Sequence, residues 1–350
     1  MPLRTLDAEK KSPKATALAK KFANKIIGQD AAREALISLL DKFTSGMYNK
    51  TKPVGSLLFL GPTGAGKTLA AEAFAEGLFG DPNKMLKVDC AEFQHSHEIA
   101  KLVGSPPGYL GHRETHPFFT NASLVSARSG VAGEELFPFT IILFDEIEKA
   151  SDDLWNLLLG ILDKGSLTTG KNEKVDFTKT VIIMTSNVGA AELSDDNALG
   201  FNAGEKVVDD AKMEEVAKSA ARRKFMPEFL NRFDDIVMFK TLSKEDLRKI
   251  LDLELSKVQR RIIDGGKVVF ELRVGDTGMD ELIASGYEKR YNARSLVRSV
   301  EQFITTPLTR MVSTDQILDN DIVIARFKAG KWEYTAVSPV KPLWGKLSGQ

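Results

Sequence analysis

The eight residues at positions 61–68 constrain the fold of this chain more than any other feature of its sequence. In order they are Gly61, Pro62, Thr63, Gly64, Ala65, Gly66, Lys67 and Thr68. The apolar run 56–60 before them predicts a buried strand, and the pattern at 69–79 after them predicts a helix. The apolar face of that helix comprises Leu69, Ala73, Phe74 and Leu78. A glycine-rich turn between a strand and a helix directs backbone N–H groups at a phosphate chain, so the segment predicts a nucleoside triphosphate site.

The last side chains of this segment predict how the phosphates are held. Lys67 offers a mobile positive charge to the β- and γ-phosphates. The hydroxyl of Thr68 is a suitable ligand for Mg²⁺. We expect the nucleotide-binding stretch to run from Gly61 through Leu69.

Two further strand-like runs end in polar side chains that suit phosphate chemistry. The run 141–144 leads into Asp145 and Glu146, and the run 181–185 leads into Ser186 and Asn187. In parallel sheets the ligand site lies beyond the carboxyl ends of the strands, so we expect these groups beside the phosphates. Asp145 is expected to hold the Mg²⁺ shell, Glu146 to activate a water as general base, and Asn187 to orient that water. This combination predicts a hydrolase rather than a passive nucleotide pocket.

Composition narrows the class of protein. The chain has 350 residues, of which 43% are hydrophobic and 27% charged, as expected for a soluble globular protein of two or more domains. Lys+Arg and Asp+Glu both number 48, so no net positive charge attracts nucleic acid, and we do not expect nucleic acid as a partner. The single Cys90 cannot form an intramolecular disulfide, which suits a reducing compartment. The sequence contains no run of about 18 apolar residues, so it does not predict a membrane-spanning helix. We therefore expect a cytoplasmic protein.

The histidines raise the alternative of a transition-metal site. They are His95, His97, His112 and His116, and Cys90 lies near the first pair. No second cysteine and no regular ligand spacing support such a site, so we favour ordinary surface histidines.

Alternation of strand-like and helical patterns predicts an α/β domain. Five apolar runs lie at 56–60, 85–88, 140–144, 181–185 and 236–239. Such alternation is typical of a parallel sheet with helices on both faces, but the order of the strands cannot be read from it. The lysine-rich residues 1–24 are expected to form a solvated arm or a short helix, and residues 192–212 a mobile acidic loop.

A second, smaller domain is predicted after residue 240. Ser243 can cap a helix that runs to about residue 263, and a short strand is expected at 268–272. Two more helical patterns and a strand pair at 321–327 and 332–337 complete a mixed α+β domain. The expected divisions are a basic arm at 1–24, a large α/β domain at 25–240, a small C-terminal domain at 241–340 and a tail at 341–350.

The order of motifs along the chain resembles the Clp branch of the AAA+ ATPases. The motifs are Ile26-Ile27-Gly28-Gln29, the segment 61–68, Asp145-Glu146-Ile147-Glu148-Lys149-Ala150, Thr185-Ser186-Asn187 and Pro227-Glu228-Phe229-Leu230-Asn231-Arg232. The resemblance is to the second ATPase module of the ClpA, ClpB and ClpC unfoldases, and it covers about residues 24–338. It implies a P-loop AAA+ domain with a five-stranded parallel sheet, followed by a small C-terminal domain. It also implies a homo-hexameric ring that uses ATP and Mg²⁺ to thread unfolded or aggregated polypeptide through a central pore.

The resemblance assigns roles to four further residues. Arg232 matches the arginine finger that enters the neighbouring subunit's site, although an arginine seen alone is more often a surface ion-pair partner. Arg294 matches the arginine by which the small domain senses nucleotide, but Asn292 and Ser295 replace the family's usual glycine and proline around it. Ile26 and Ile27 match positions that pack around adenine.

A proline-glycine turn at 104–111 resembles the substrate-gripping pore loop of this family. Its centre is Gly108-Tyr109-Leu110-Gly111, with Tyr109 as the aromatic that contacts the translocating chain. From the residues alone, a plain surface loop is the ordinary interpretation. Residues 165–170 resemble the second pore-facing hairpin. Tyr109 lies 36 residues before Asp145, which is farther than is usual, so we expect an insertion at 112–138.

Several functional alternatives remain open from the sequence. The tripeptide Leu199-Gly200-Phe201 resembles the one that docks Clp unfoldases onto a ClpP-type peptidase, or it pins the loop to its own domain. The chain has no segment resembling an N-terminal substrate domain or a first ATPase module, which predicts a one-ring machine or a fragment of a longer one. Besides an unfoldase, we consider a remodeller of nucleic-acid complexes and a non-enzymatic scaffold that binds ATP. The intact Lys67, Asp145, Glu146, Asn187 and Arg232 argue against the scaffold.

Overall fold

The computed structural model describes residues 7, 12–23, 25–105, 116–129, 137–189, 210–286 and 293–339. The chain divides into two compact units, Met1–Lys240 and Thr241–Gln350. The expected pore residues 108–111, the tripeptide 199–201 and most of the acidic loop 192–212 lie outside the described residues. No helix in the described ranges is long and apolar enough to cross a bilayer.

A five-stranded parallel sheet forms the centre of the first unit. The strands described in the first unit are β1 (Gly55–Leu60), β2 (Leu86–Asp89), β3 (Thr140–Asp145), β4 (Ser166–Thr168), β5 (Lys174–Asp176), β6 (Thr180–Ser186) and β7 (Asp235–Met238). Five of these pair in the order β2-β3-β6-β1-β7, and every pairing is parallel. The predicted parallel sheet is confirmed. The strand order, which the sequence did not reveal, places β3, β6 and β1 side by side.

Helices cover both faces of this sheet. They are α1 (Pro13–Ala23), α2 (Asp30–Thr44), α3 (Lys67–Phe79), α4 (Ala100–Val103), α5 (Asn121–Ser126), α6 (Asp152–Lys164), α7 (Asp210–Lys224) and α8 (Pro227–Leu230). Along β1, Leu57 and Phe59 enter the core on one face of the sheet, and Leu58 and Leu60 enter the core on the other. Burial of every residue of β1 explains why its sequence is a continuous apolar run rather than an alternating one.

The N-terminal segment contains a packed helix rather than only a solvated arm. Helix α1 packs against α2 and α3. Phe22 is fully buried and makes an edge-to-face contact with Phe74. The short-helix alternative of the sequence is therefore the one observed, because an aromatic side chain in the lysine-rich stretch has a core to enter.

The apolar face predicted for α3 is correct except at its start. Ala73, Phe74 and Leu78 are buried, whereas Leu69 is 48% exposed. Leu69 lies in the first turn of α3, immediately after the 61–66 loop, at the carboxyl edge of the sheet. Helical periodicity places it in line with the core residues but cannot show that the sheet ends beside it.

A two-stranded hairpin follows the end of α6. Strands β4 and β5 pair antiparallel, so a hairpin stands where the sequence predicted one at 165–170. Its turn lies against the segment that precedes residues 106–115. The Gly170 N–H donates to the Val103 carbonyl at 2.8 Å, and a Cβ on Gly170 would lie 2.4 Å from the Gly104 oxygen.

Part of the expected insertion 112–138 is anchored in the core. Residues 116–129 are described and include α5. Phe119 is fully buried and contacts the rings of Phe144 and Phe177. The side chain of Thr120 caps α5 by accepting from the Ser123 N–H at 2.9 Å. This stretch therefore packs as part of the first unit.

The second unit is a mixed α+β domain. Its elements are α9 (Lys244–Gly265), β8 (Glu271–Val274), α10 (Asp276–Gly286), α11 (Ala293–Val300), α12 (Thr306–Ser313), β9 (Ile322–Lys328) and β10 (Lys331–Val337). The predicted cap is present, because Ser243 accepts from the Asp246 N–H while the Asp246 carboxylate accepts from Ser243. Strand β9 pairs antiparallel with β10 and parallel with β8.

The predicted strand at 268–272 is wrong by about three residues. The Val269 N–H donates to the Asp319 carboxylate, and the Val269 carbonyl accepts from Asn320. These contacts with the loop before β9 occupy the backbone, so regular pairing begins only where Glu271 faces Ile322. The apolar residues 268–270 therefore mark the approach to the strand and not the strand itself.

Candidate functional site

The loop at 61–66 curls because its glycines adopt backbone angles that other residues avoid. The φ angles are 146° at Gly61, 75° at Gly64 and 98° at Gly66. A Cβ on Gly61 would lie 2.5 Å from the Phe239 carbonyl oxygen, so the loop is seated against the end of β7. A Cβ on Gly66 would meet no atom of the described residues within 4 Å. The loop therefore leaves open space beside Gly66, which a phosphate-binding loop requires.

Lys67 lies in the curl of this loop. The residue is 7% exposed. Its Nζ donates to the carbonyls of Gly61 at 2.7 Å and Pro62 at 2.9 Å, and to the Asn187 Oδ1 at 2.9 Å. A buried ammonium is a strong binding group for an anion, because an anionic partner compensates its desolvation better than a dipole does.

Thr68 and Asp145 meet across the gap between α3 and β3. The Thr68 Oγ1 donates to the Asp145 carboxylate, whose two oxygens lie at 3.0 and 3.1 Å. The Thr185 hydroxyl also donates to Asp145. The Lys87 Nζ lies 3.6 Å from Asp145 and 3.7 Å from Glu72. A hydroxyl and a carboxylate are hard oxygen ligands, so this pair fits Mg²⁺.

Glu146 follows β3 in an unusual backbone conformation. It has φ 59° and ψ 48°, in the left-handed region that few residues other than glycine adopt. Its N–H donates to the Thr185 Oγ1 at 3.0 Å. Its Oε2 lies 2.5 Å from the Lys149 Nζ, and that hydrogen bond raises the pKa of Lys149. The turn therefore directs Glu146 out of the strand while Lys149 holds one of its oxygens.

Asn187 connects the loop to the carboxylates. Its Oδ1 accepts from Lys67 at 2.9 Å and from Thr63 at 3.3 Å. Its Nδ2 donates to Glu148 at 3.1 Å and lies 3.4 Å from the Glu146 Oε1. Five residues predicted from three separate strand ends are thus joined by hydrogen bonds, and together they form the Lys67 network: Lys67, Thr68, Asp145, Glu146 and Asn187.

Arg232 lies elsewhere in the unit. Its guanidinium forms ion pairs with Asp163 at 2.9 Å and with Glu228 at 3.3 Å. Among the described residues, its ion pairs do not include any member of the Lys67 network. The backbone on either side is fixed to the start of β1. The Ser56 Oγ donates to the Arg232 carbonyl at 3.1 Å, and the Ser56 N–H donates to the Asp234 carboxylate at 2.8 Å.

The remaining predicted nucleotide contacts are divided between the two units. Ile26 is buried in the core of the first unit, and Ile27 is half-buried beside it. Leu69 is exposed at the start of α3. Arg294 is exposed in the first turn of α11, in the second unit.

Sequence reasoning missed several side chains that fix the site. Glu148 accepts from both the backbone and the side chain of Asn187. The Gln29 amide donates to the carbonyls of Ala65 and Lys240. Both residues were part of recognised motifs, but a role was assigned to neither, because hydrogen bonds between distant segments leave no periodic signal. The available signal was that each is a polar residue inside a motif to which no role had been assigned.

The alternative of a transition-metal site finds no ligand cluster. The described ranges hold no group of three or more His, Cys, Asp or Glu side chains arranged around a metal. Cys90 is buried. Burial raises the pKa of its thiol, and the nearby Asp145 and Asp89 raise it further, so the thiol is protonated at neutral pH.

Comparison with known proteins identifies the relatives of this arrangement. Residues 52–236 match the model of the AAA domain (Cdc48 subfamily), and residues 242–325 match the C-terminal D2-small domain of ClpB protein. The ATP-dependent Clp protease ATP-binding subunit ClpC of Staphylococcus aureus (strain USA300) is 37% identical over 314 residues, which is 89% of this chain and 36% of that protein. ClpC of Staphylococcus saprophyticus is 37% identical over 291 residues, which is 83% of this chain and 33% of that protein.

A solved structure shares the architecture. A closed-state cryo-electron microscopy reconstruction of Hsp104 with ATPγS and FITC casein aligns with a TM-score of 0.76 and 29% identity. The alignment covers 92% of this chain and 52% of that chain. The chain spans about a third of the length of the ClpC relatives that it matches. The AAA model alone covers more than half of the chain, and the small-domain match follows it in register. The chain therefore belongs to the AAA+ ATPases, and within them it is of the Clp type, with the two-part construction of a second ATPase module.

Proposed function

We propose that this chain is an ATP-hydrolysing protein unfoldase that works as a homo-hexameric ring and draws polypeptide through a central pore. The observation that carries the proposal is the single network formed by Lys67, Thr68, Asp145, Glu146 and Asn187. These groups come from the ends of three adjacent parallel strands, where a ligand of an open α/β sheet binds. Together they supply an anion contact, a metal pair, a base and an amide, which is the equipment for hydrolysis rather than for binding alone.

Each residue has a chemical task in this proposal. The backbone N–H groups of 61–66 and the ammonium of Lys67 bind the β- and γ-phosphates of ATP. Thr68 and Asp145 hold Mg²⁺, which when bound neutralises charge on the phosphate oxygens. Glu146 accepts a proton from the attacking water, and Asn187 orients that water toward the γ-phosphorus. Ile26, Ile27 and Leu69 border the nucleoside, and Arg294 is the arginine that senses the nucleotide.

The ring is proposed because Arg232 is held away from the nucleotide site of its own subunit. Its guanidinium is fixed by Asp163 and Glu228, and its backbone by Ser56. An arginine in that position can complete the site of a neighbour in a head-to-tail assembly, where it stabilises charge in the transition state.

Polypeptide is the substrate that the relatives favour. The Hsp104 reconstruction contains casein, and ClpC is described as the ATP-binding subunit of a protease. We propose that Tyr109 grips the moving chain, since an aromatic contact is apolar and tolerates many sequences. No specific observation favours a nucleic-acid remodeller. We also propose a cytoplasmic location, to which the single reduced Cys90 is suited.

Docking to a ClpP-type peptidase is a further part of the proposal. ClpC is named as a subunit of a Clp protease. The tripeptide Leu199-Gly200-Phe201 offers two apolar side chains that could fill pockets on a partner ring, and six copies in a hexamer would add avidity.

ATP turnover with and without a substrate tests the proposed function. The protein is sized in ATP, and phosphate release is measured alone, with casein and with single-stranded DNA. We expect a ring-sized species whose ATPase activity rises with casein and not with DNA. Stimulation by DNA alone, with a steep dependence on salt, would favour the nucleic-acid alternative. Absence of turnover under every condition would reject the enzyme.

A further inference from the structure

A third acidic residue, two positions after Glu146, contacts the network from the side away from the phosphate loop. Glu148 lies in the short turn Ile147–Lys149 that follows β3. Its Oε1 accepts from the Asn187 N–H and from the Asn187 Nδ2, both at 3.1 Å. Its Oε2 is buried and has no hydrogen-bond partner among the residues that the structure describes. One carboxylate oxygen is thus used twice on a single neighbour.

These two contacts fix both the position and the rotation of the Asn187 side chain. Asn187 is the first residue beyond β6, where regular pairing with the sheet has ended. The contact from Glu148 to its N–H replaces the missing strand partner. The contact to Nδ2 orients the amide, because a carboxylate can only accept and therefore selects the nitrogen. The Oδ1 is left facing Lys67 and Thr63.

A second set of contacts connects the end of β6 to Asp145 and Glu146, at the end of β3. The Thr185 Oγ1 donates to Asp145 and accepts from the Glu146 N–H. Thr185, the penultimate residue of β6, therefore contacts both acids, while the turn after β3 orients the amide. The ends of β3 and β6 therefore hold each other in place, and the contacts from Glu148 to Asn187 are one of the two sets of hydrogen bonds that do so.

We propose that Glu148 is a positioning residue for hydrolysis, which acts by holding the Asn187 amide in the orientation that faces the phosphate loop. The proposal rests on the proposed ATPase function. It assigns Glu148 no contact with ATP or with the attacking water. The relevant property is the acceptor oxygen and not the negative charge, since both of its hydrogen bonds use Oε1 alone.

Steady-state kinetics of six proteins test this role. They are the wild type, Glu148→Ala, Glu148→Gln, Asn187→Ala, the double variant Glu148→Ala/Asn187→Ala, and Glu92→Ala as control. Glu92 is exposed on the turn Cys90–Glu92, which packs beside the turn that carries Glu148. The KM for ATP, kcat, and the thermal unfolding temperature are measured for each. Binding of ATPγS and ADP is measured in parallel.

The expected pattern is a loss that runs through Asn187. Glu148→Ala should lower kcat by about 10- to 100-fold, as loss of a supporting contact commonly does, with little change in KM. Glu148→Gln retains an oxygen acceptor of the same reach and should stay within about threefold of the wild type. The double variant should be no slower than Asn187→Ala, because the two residues act as one unit. Both single alanine variants should lose the same share of the preference for ATPγS over ADP.

Other patterns overturn the role of Glu148 and leave the enzyme intact. Losses that multiply in the double variant, full activity in Glu148→Ala, or an equal loss in Glu148→Gln would each do so. A fall in kcat that only follows a fall in the folded fraction would also reject positioning. Absence of ATP turnover in the wild type is a different result, since it removes the proposed function and with it this inference.

Discussion

At the residue scale, Glu146 combines a strained backbone with a paired carboxylate. A non-glycine residue with φ 59° persists only where its surroundings hold it, and here Thr185 holds its N–H and Lys149 its carboxylate. The left-handed turn separates Glu146 from Asp145, so that adjacent acids serve different contacts. Asp145 remains beside Thr68, while Glu146 lies toward Asn187.

The first prediction concerns the base. Glu146→Gln should bind ATP with an affinity close to that of the wild type, because the amide keeps the shape of the side chain. Turnover should fall by at least about 100-fold, since the amide cannot accept the proton. Phosphate release and fluorescent-nucleotide binding check the two halves. Lys67→Ala is the contrasting variant, because it should weaken binding itself. Turnover at the wild-type rate in Glu146→Gln would exclude Glu146 as the base.

The residues proposed to bind or react could be predicted from the sequence, whereas the residues that hold them in place could not. Lys67, Asp145 and Asn187 each follow or precede an apolar run, so local pattern marks them. Glu148 and Gln29 act on backbone groups far away in sequence, such as the Gln29 contact with Lys240. Such contacts depend on which strands are neighbours, and an apolar run does not state its neighbours.

At the scale of elements, strand order turns separate motifs into one site. Strands β3, β6 and β1 are neighbours in space although β2, β4 and β5 intervene in sequence. The five apolar runs predicted the strands to within one or two residues. The three central strands β1, β3 and β6 are buried along nearly their whole length, which favours a continuous apolar run. Strand β8 was misplaced because Val269, in the apolar run 268–270, hydrogen-bonds a loop rather than a strand. Burial was readable from the sequence, while pairing was not.

The second prediction concerns the hairpin β4–β5. Gly170→Ala places a Cβ 2.4 Å from the Gly104 carbonyl oxygen, so the hairpin turn must move away from the segment before Tyr109. We expect ATP turnover without substrate to stay within about twofold, because no contact of the Lys67 network changes. Unfolding of a tagged reporter should fall several-fold. These two rates, measured on the same preparation, check the prediction.

Gly160→Ala is the matched control for this change. A Cβ at Gly160, in the interior of α6, meets no atom within 4 Å in the part of the chain that the structure describes. Alanine there should raise helix stability by up to about 1 kcal/mol and leave both rates unchanged. If Gly170→Ala unfolds the reporter as well as Gly160→Ala does, the hairpin has no part in substrate handling.

At the scale of the whole molecule, the third prediction concerns the assembly. Arg232→Ala should leave each subunit able to bind ATP and should lower turnover by about 1000-fold or more, the range known for arginine fingers. Mixing Arg232→Ala with Glu146→Gln subunits should restore part of the turnover, since some interfaces then combine two intact halves. Titration of one variant into the other checks this. Wild-type turnover in a strictly monomeric sample would contradict the shared site.

The fourth prediction concerns the pore. Tyr109→Ala should spare ATP turnover and abolish unfolding of a tagged reporter, because the motor would lose its grip on the chain. Tyr109→Phe keeps the aromatic face and should retain most of the unfolding rate. Reporter fluorescence and phosphate release are followed together. Normal unfolding by Tyr109→Ala would make Tyr109 an ordinary loop residue.

The fifth prediction tests whether the ring has a peptidase partner. In ATP, the wild type should be retained on an immobilised ClpP-type peptidase, and Phe201→Ala should be retained at least tenfold less. The loss is large because each of six weak contacts contributes to avidity, so that weakening every copy multiplies the effect. Asn202→Ala, the polar neighbour, is the matched control and should bind like the wild type. Glu146→Gln should be retained at least as well, since it stays in the ATP-bound state. Equal retention of the wild type and Phe201→Ala, or retention of neither, would mean that the tripeptide 199–201 does not dock a peptidase. The function would then be that of an unfoldase that releases its substrate intact.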